Sequence, residues 1–449
     1  MKINWHWSNK EDQWQKGVPE SVGNTNCSVS INGNRFQKML GFGACLNELG
    51  YTSLHDLRET DRKNLLEELF SESKDDGCNF QICRFPVGAN DYSFNWYSLD
   101  DHYNDWDLKC FSIERDQEAL IPYIREVLNV KNDIVLMVSP WSPPIWMKEP
   151  SRYNGGHLKK DPEVQNTYAK YLTRFIEAYK YEGIHISQLH VQNEPVANQI
   201  FPSCLWTGKD LKIFIRDYLG PYFVKTGVNQ ETELWLGTIN APGCDFNKMI
   251  FDKWPYEDYD YFANEVLSDE KAASYISGVS YQWGGKIAIQ RTFESWWPKF
   301  RLMQSENESG FGDNTWDTTL YNWTMLKHYI SNGAESYLYW NLILPPKGIS
   351  TWGDPQNSMV TVDNHCAVMN PDFYLMKHFS SIVKKGAVRL GLIGNYSGDT
   401  LIFENPDGSY AVEMMNPFKE SHPVQLEICG NDILLNLPAR SLNSIRIEP

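Results

Sequence analysis

The residues best suited to chemistry are two glutamates, each at the end of an apolar run typical of a buried strand. Glu194 ends the segment His190-Val-Gln-Asn-Glu194-Pro195, and Glu306 ends Leu302-Met-Gln-Ser-Glu306. Pro195 disfavours helical geometry at the residue before it and so helps end the first run at Glu194. Two carboxyl groups that face each other across a pocket can cleave a glycosidic bond, because one protonates the leaving oxygen and the other supports or attacks the sugar carbon.

Each glutamate also has a plainer interpretation. A lone carboxylate at a strand end often forms only a salt bridge, and this interpretation stays open for Glu194. Glu308 follows Glu306 by two residues and shares its face if the strand continues, so alternation alone does not choose between them. Glu306 lies nearer the strand and is the preferred candidate.

The elements that must position these glutamates repeat along the chain. Eight short runs rich in β-branched or aromatic residues alternate with amphipathic stretches, which is the pattern of a parallel (β/α)8 TIM barrel. In such a barrel the active site is built at the carboxyl ends of the strands, and strands four and seven lie on roughly opposite sides of it. The gap between the sixth and seventh strands is short and predicts a reduced helix there. The predicted strands are 38–45, 80–86, 134–139, 186–192, 233–239, 277–283, 300–305 and 336–342, and the clearest helices are 61–70, 116–130, 166–181 and 210–223.

The last 65 residues or so have a different pattern. Short strand-like runs separated by turn residues predict an antiparallel β-module. The run 27–31, followed by Asn32-Gly33-Asn34, predicts a hairpin that joins the same module. The predicted architecture is therefore an α/β fold, with a catalytic barrel over 38–384 and a side antiparallel β-sandwich from 1–37 and 385–449. The predicted C-terminal strands are 401–403, 410–415, 424–428 and 444–447.

Composition excludes several classes of function. A net charge of −16 disfavours nucleic acid and anionic lipid as partners. No apolar run is long enough for an integral membrane segment or a signal-peptide core, so we expect a cytoplasmic protein, or a secreted one if a signal was removed. The nine cysteines form no CxxC pair and no HExxH motif occurs, so no metal is expected. Gly41-Phe-Gly43 is followed by Leu46 where a dinucleotide-binding fingerprint needs a third glycine, so no cofactor is expected.

Aromatic residues are abundant, with 17 Trp, 24 Tyr and 21 Phe. Most rings of this kind pack in a core. Flat rings can also stack on the C–H face of a sugar, while Trp N–H and Tyr O–H groups reach its hydroxyls. The aromatic content therefore fits a carbohydrate as the binding partner.

Several motifs, in order along the chain, resemble glycoside hydrolase family 30, the glucosylceramidase-like retaining β-glycosidases. The resemblance covers nearly the whole chain, and the match at the third strand is especially good. The motifs are Gly41-Phe-Gly-Ala-Cys-Leu-Asn-Glu48, Arg84-Phe-Pro-Val-Gly-Ala-Asn-Asp91, Ser139-Pro-Trp141-Ser-Pro-Pro-Ile-Trp146-Met-Lys148, Asn193-Glu194-Pro195, Val279-Ser-Tyr-Gln-Trp283, Gln304-Ser-Glu306, Tyr339-Trp340-Asn341-Leu342, Gly386-Ala-Val-Arg-Leu390 and Asn405-Pro-Asp-Gly408.

The resemblance implies a role for each matching position. It implies that Glu194 is the acid/base and Glu306 the nucleophile, with Asn193 at the sugar 2-hydroxyl. It further implies that Asp91 binds hydroxyls of a terminal sugar and that Arg84 lies near the nucleophile. The aromatic positions that would line the sugar subsite are Trp141, Trp283 and Trp340.

Plainer roles remain open for these residues. Arg84 could form a buried structural ion pair, and the tryptophans could pack the barrel mouth, which is the better interpretation for Trp146. Gln282 stands where glucosylceramidase has a histidine. If Arg84 contacts Glu306, it should keep that carboxyl group the more acidic of the pair, ionised for attack while Glu194 is protonated.

The expected function is that of a retaining, exo-acting β-glycosidase that hydrolyses a terminal β-linked sugar of the glucosyl, fucosyl or xylosyl type. An endo-β-glycanase, of the β-1,6-glucanase or xylanase type, is the alternative, and a non-catalytic carbohydrate-binding barrel is a third. The aromatic loop 92–106 could either wall off the pocket or line an extended cleft. The sequence leaves the oligomeric state open.

Overall fold

The computed structural model describes residues 1–20, 25–73, 77–195, 197–240 and 262–449. Eight parallel strands close into a barrel, and each of the eight predicted strands overlaps one of them, which confirms the predicted fold class. With strands numbered along the whole chain, the barrel strands are β4 (Gly41–Cys45), β5 (Ile82–Val87), β6 (Val135–Pro140), β9 (Gln188–His190), β10 (Glu233–Ile239), β11 (Gly278–Gln282), β12 (Arg301–Glu306) and β13 (Ala334–Asn341).

Burial on both faces explains why the barrel strands read as nearly continuous apolar runs. Their outward side chains pack under the surrounding helices in one large hydrophobic cluster. A smaller cluster, contributed by five different strands, fills the barrel interior: Ile82, Met137, Trp235, Met303 and Leu338.

The helices lie where amphipathic stretches predict them. The longest begins at Pro162, after Asp161 caps its first turn. The prediction of a reduced helix between the sixth and seventh barrel strands is wrong, because Lys286–Trp296 forms 11 helical residues there. At 1.5 Å per residue this helix spans about 16 Å, most of the roughly 20 Å length of a six-residue strand. The helices are Glu48–Asp56, Glu59–Phe70, Leu120–Val130, Pro162–Tyr181, Gly208–Phe214, Gly220–Thr226, Phe262–Leu267, Glu270–Ala273, Lys286–Trp296, Trp316–Ser331 and Pro371–Ile382.

A nine-stranded side sheet combines strands from both ends of the chain, as predicted. Every neighbouring pair in it is antiparallel except Ser28–Lys38 and His422–Ile428, which pair in parallel. Glu20, just beyond β2, donates its N–H to the Leu434 carbonyl at 2.9 Å, so the two edges of the sheet approach each other around one apolar core. The strands are β1 (Lys2–Ser8), β2 (Gln15–Gly17), β3 (Ser28–Lys38), β17 (Val388–Ile393), β18 (Thr400–Glu404), β19 (Tyr410–Asn416), β20 (His422–Ile428), β21 (Asn431–Leu437) and β22 (Ser441–Glu448).

The predicted hairpin at Asn32-Gly33-Asn34 is wrong. These residues lie inside the single strand β3, whose register against β17 shifts between Ile31 and Arg35, where they lie, and again between Arg35 and Lys38. Gly33 has φ of 87°, which glycine adopts without steric cost. The turn-like residues therefore form an irregularity within one strand.

The remaining strands are short and lie outside the barrel and the side sheet. They are β7 (Lys148–Glu149), β8 (His157–Leu158), β14 (Ile343–Leu344), β15 (Val360–Asp363) and β16 (Cys366–Met369). Among the helices described, none is long and apolar enough to cross a membrane.

Candidate active site

Carboxyl ends of the barrel strands bring a buried polar cluster together. Six of the eight strands, or the residues directly after them, contribute to it. All members are at most 8% exposed, and they are Arg84, Ser139, Asn193, Glu194, Thr238, Gln282 and Glu306. Polar groups at this depth need partners, so the hydrogen bonds within the cluster define its geometry.

Arg84 is the centre of the cluster and has no exposed surface. Its Nη1 donates to Glu306 Oε2 at 2.5 Å, and its Nη2 donates to Asn193 Oδ1 at 2.6 Å. Ser139 Oγ accepts from the same Nη2 at 2.9 Å. The ion pair is thus also a link between the strand that carries Glu306 and the segment that carries Asn193.

Two of the predicted tryptophans flank this guanidinium group. The ring centroids of Trp141 and Trp340 lie 4.7 and 5.4 Å from the Arg84 Cζ, and the two rings stack with centroids 5.5 Å apart. Both rings are buried. Aromatic faces stabilise a nearby cation, so these rings help to fix Arg84.

The third predicted tryptophan lies at the same edge of the barrel. Trp283 is half-buried, and its peptide N–H donates to the Glu306 carbonyl at 2.9 Å. Its ring packs against the large hydrophobic cluster, so a contact with sugar stays a prediction. Trp146 packs edge-on against Trp106 and donates to the Asp100 carbonyl, in agreement with a packing role.

Gln282 connects the two sides of the site. Its Nε2 donates to Glu306 Oε2 at 2.8 Å and to Asn193 Oδ1 at 2.8 Å, with Thr238 Oγ1 at 3.1 Å. Glu306 Oε2 therefore has two donors. Neither Glu306 Oε1 nor Asn193 Nδ2 forms a hydrogen bond to any residue that the structure describes.

Glu194 is held differently. Its φ of 45° is in the left-handed region, which costs a non-glycine residue about 1–3 kcal/mol and is typical of functional sites. Its carboxylate accepts from two amides, Gln199 Nε2 at 3.0 Å and Asn240 Nδ2 at 3.1 Å. Neither amide is predictable from a strand-end carboxylate pattern, although Asn240 directly follows a predicted strand.

Asp91 lies close enough to Glu194 and Arg84 for their charges to affect it. It is 4% exposed, and its Oδ1 has no hydrogen-bond partner among the described residues. Burial, reinforced by Glu194 and opposed by Arg84, raises the pKa of Asp91 to about 7. A buried carboxyl group with a free oxygen is suited to binding a hydroxyl group.

Burial has the largest effect on the pKa of both glutamates. Arg84 lowers the pKa of Glu306, as expected, but burial outweighs it, and Glu194 and Asp91 add to the rise. The pKa of Glu306 is therefore raised to about 8. Burial also raises the pKa of Glu194, against the effect of Gln199, Arg84 and Asn240. Burial therefore favours the protonated form of both glutamates.

Glu308 lies outside the cluster. It is half-buried, and the structure gives it no side-chain hydrogen bond to Arg84 or Gln282. In the described part of the chain, no group of three His, Cys, Asp or Glu side chains is arranged to hold a metal ion.

Two buried glutamates at the carboxyl ends of the fourth and seventh strands of a closed (β/α)8 barrel, with two indole rings against the arginine that binds one of them, are typical of a barrel-type glycoside hydrolase. Residues 39–383 match the model of the glycosyl hydrolase family 30 TIM-barrel domain, and the chain belongs to that family. The family assignment made from the motifs is confirmed.

Relatives of two kinds, glucosylceramidases and endo-1,6-beta-D-glucanases, align with most of this chain. Lysosomal acid glucosylceramidase of Mus musculus is 29% identical over 421 residues, which cover 87% of this chain and 77% of the relative. Endo-1,6-beta-D-glucanase neg1 of Aspergillus fumigatus is 24% identical, with 90% of this chain and 80% of the relative covered. Among solved structures, the endo-beta1,6-glucanase BT3312 has a TM-score of 0.86 at 23% identity, with 100% and 99% coverage.

Proposed function

We propose that the protein is a retaining, exo-acting β-glycosidase that releases a terminal β-linked sugar of the glucosyl, fucosyl or xylosyl type. Glu306 is the nucleophile and Glu194 the acid/base. The observation that carries this proposal is the asymmetry of Glu306: Arg84 and Gln282 hold its Oε2, and its Oε1 has no described partner.

The reaction has two displacement steps. In the first, the ionised form of Glu306 attacks the anomeric carbon through Oε1, the glycosidic C–O bond breaks, and the proton of Glu194 goes to the leaving oxygen. In the second, water attacks the same carbon, its proton goes to Glu194, and the bond to Glu306 breaks. Arg84 stabilises the carboxylate that this second step releases.

The neighbouring groups bind the sugar. Asn193 Oδ1 already accepts from Arg84, Gln282 and Thr238, so its Nδ2 is the group left to donate to a sugar hydroxyl. The free Oδ1 of Asp91 accepts from another hydroxyl. Trp141, Trp283 and Trp340 provide the apolar surface for the pyranose.

The wall behind Asp91 supports exo action. Thr351 Oγ1 donates to the Asp91 carbonyl at 3.0 Å, and Tyr92 Oη donates to the Gly348 carbonyl at 2.8 Å. The loop after β5 is thus joined to the segment after β14. A join between loops on this side favours a terminal sugar over a continuing glycan.

Endo action is the second candidate. The full-length structural similarity to an endo-β-1,6-glucanase favours it, as does Trp96, which is 40% exposed on the aromatic loop after β5. An exposed indole near the mouth can serve as an outer subsite on a long chain. Trp106, on the same loop, instead packs inward against Trp146.

A substrate panel distinguishes these possibilities. We expect turnover of at least one aryl β-glucoside, fucoside, xyloside or galactoside, and release of monosaccharide as the first product. Short oligosaccharides released early from a soluble β-1,6-glucan would instead establish endo action. Binding of these sugars without any release would establish a non-catalytic barrel.

Two variants test the proposed roles. We expect Glu306→Ala to abolish turnover, while Glu308→Gln, the matched control two residues away, keeps it. Glu194→Gln should lose much more rate on substrates with poor leaving groups than on activated ones, because only the former need the proton. Equal losses across leaving groups would contradict the acid role.

A further inference from the structure

Lys148, the last residue of the third-strand motif, has no part in the mechanism above. It has no exposed surface, and its ammonium group has three acceptors: Ser142 Oγ at 2.8 Å, the Tyr153 carbonyl at 2.8 Å and the Ser203 carbonyl at 2.6 Å. The described carboxylates form no ion pair with it. A buried ammonium group is costly unless all three donors are satisfied, as they are here.

The three acceptors belong to three separate segments at the barrel mouth. Ser142 follows β6, Tyr153 lies between β7 and β8, and Ser203 lies in the segment after β9. One side chain therefore ties these segments together. Burial lowers the pKa of Lys148 to about 8, with Arg152 adding to the effect and Cys204 opposing it.

A chain of contacts leads from this ammonium group to Glu194. Ser203 Oγ accepts from the Gly155 N–H at 2.8 Å and from the Gln199 N–H at 3.3 Å. The side chain of Gln199 in turn donates to Glu194 Oε2 at 3.0 Å. Ser203 thus accepts from Lys148 through its carbonyl and from the backbone N–H of Gln199 through its Oγ.

We propose that Lys148 is a positioning residue for the acid/base Glu194. It holds the segment after β9 so that the side chain of Gln199 keeps its hydrogen bond to Glu194. This rests on the proposed role of Glu194. Gln199 stabilises the ionised form of Glu194 and orients its carboxyl group. Loss of that contact should misdirect the proton donor and raise the pKa of Glu194.

The test measures Lys148→Met, Gln199→Leu and the double variant that carries both changes. Each is compared with Lys159→Met. Lys159 is the matched control, because its ammonium group also donates to a backbone carbonyl of this region, that of Trp146 at 2.7 Å, without reaching Ser203. For the first two variants we expect kcat/KM to fall about tenfold or more on a poor leaving group and less than about threefold on an activated one. The alkaline limb of the pH profile should move to higher pH. The double variant should be no worse than the poorer single variant, and Lys159→Met should match the unaltered protein.

Other outcomes overturn the proposal. If Lys148→Met folds, loses kcat/KM equally on both leaving groups and keeps the alkaline limb of its pH profile, Lys148 has only a structural role. If Lys148→Met does not fold, Gln199→Leu and Ser203→Ala decide by the same two readouts. If Glu194→Gln itself shows no leaving-group dependence, the proposed function fails, and the positioning role falls with it.

Discussion

At the scale of single residues, the site contains more carboxyl groups than its one guanidinium group can neutralise. Asp91, Glu194 and Glu306 all have raised pKa values, and Arg84 opposes the rise at each of them. Positions at strand ends made Glu194 and Glu306 predictable from sequence, while Arg84 and Asp91 were predictable only from the resemblance to the family. Gln199 was not predictable, because its contact with Glu194 depends on the path of the segment after β9.

Glu306→Gln tests this charge balance. Between the ordinary pKa of 4.5 and the folded pKa of about 8, the folded protein keeps a proton that the unfolded chain loses. The contribution of Glu306 to stability therefore falls as pH rises, by at most about 1.4 kcal/mol per pH unit. Because Gln does not ionise, the Tm of the variant relative to the unaltered protein should increase from pH 5 to pH 7.5. A relative Tm that decreases instead would mean that the ion pair with Arg84 outweighs burial.

At the scale of elements, the barrel strands pack so closely that a single methyl group matters. Gly43 lies on β4, and a Cβ built on it would lie 1.7 Å from the Ile82 carbonyl oxygen on β5. All eight strands were predictable from sequence because they are buried on both faces. The irregularity in β3 was not, because Asn-Gly is a hairpin signal, and pairing with both β17 and β20 keeps the strand extended.

Gly43→Ala should therefore destabilise the protein by about 3 kcal/mol or more, since overpacking against backbone has no flexible side chain to absorb it. Gly398→Ala is the control, because a Cβ there would meet nothing within 4 Å. Chemical denaturation of both variants measures the difference. Equal stabilities would contradict the close contact between β4 and β5.

At the scale of the whole molecule, a buried histidine joins the barrel to the side sheet. His378 lies on the helix Pro371–Ile382, with its Nδ1 2.7 Å from Ser444 Oγ and its Nε2 2.9 Å from Ser8 Oγ. Burial, with smaller effects of His6 and Lys377, lowers its pKa to about 3. The sequence pattern predicts the two domains. How they pack against each other depends on contacts such as those of His378, which the pattern does not predict.

This contact predicts sensitivity to acid. Below the ordinary pKa of 6.5, the unfolded chain binds a proton that the folded protein excludes, so the contribution of His378 to stability is lost as pH falls from 6.5 towards 3. His378→Gln should have a lower Tm at pH 7, and the gap should narrow at pH 4.5. His185→Gln, at an exposed site, is the comparison variant. A constant gap for His378→Gln would show that the imidazole is not held neutral.

The central claim is that Glu306 forms a covalent bond to the sugar. The most direct measurement is peptide mass spectrometry after incubation with an activated 2-deoxy-2-fluoro β-glycoside of the sugar that the panel identifies, because the fluorine slows the second step. We expect one glycosyl group on the peptide that contains Glu306, and none in Glu306→Ala. A label on another carboxylate, or turnover of the corresponding normal substrate with inversion at the anomeric carbon, would contradict the account.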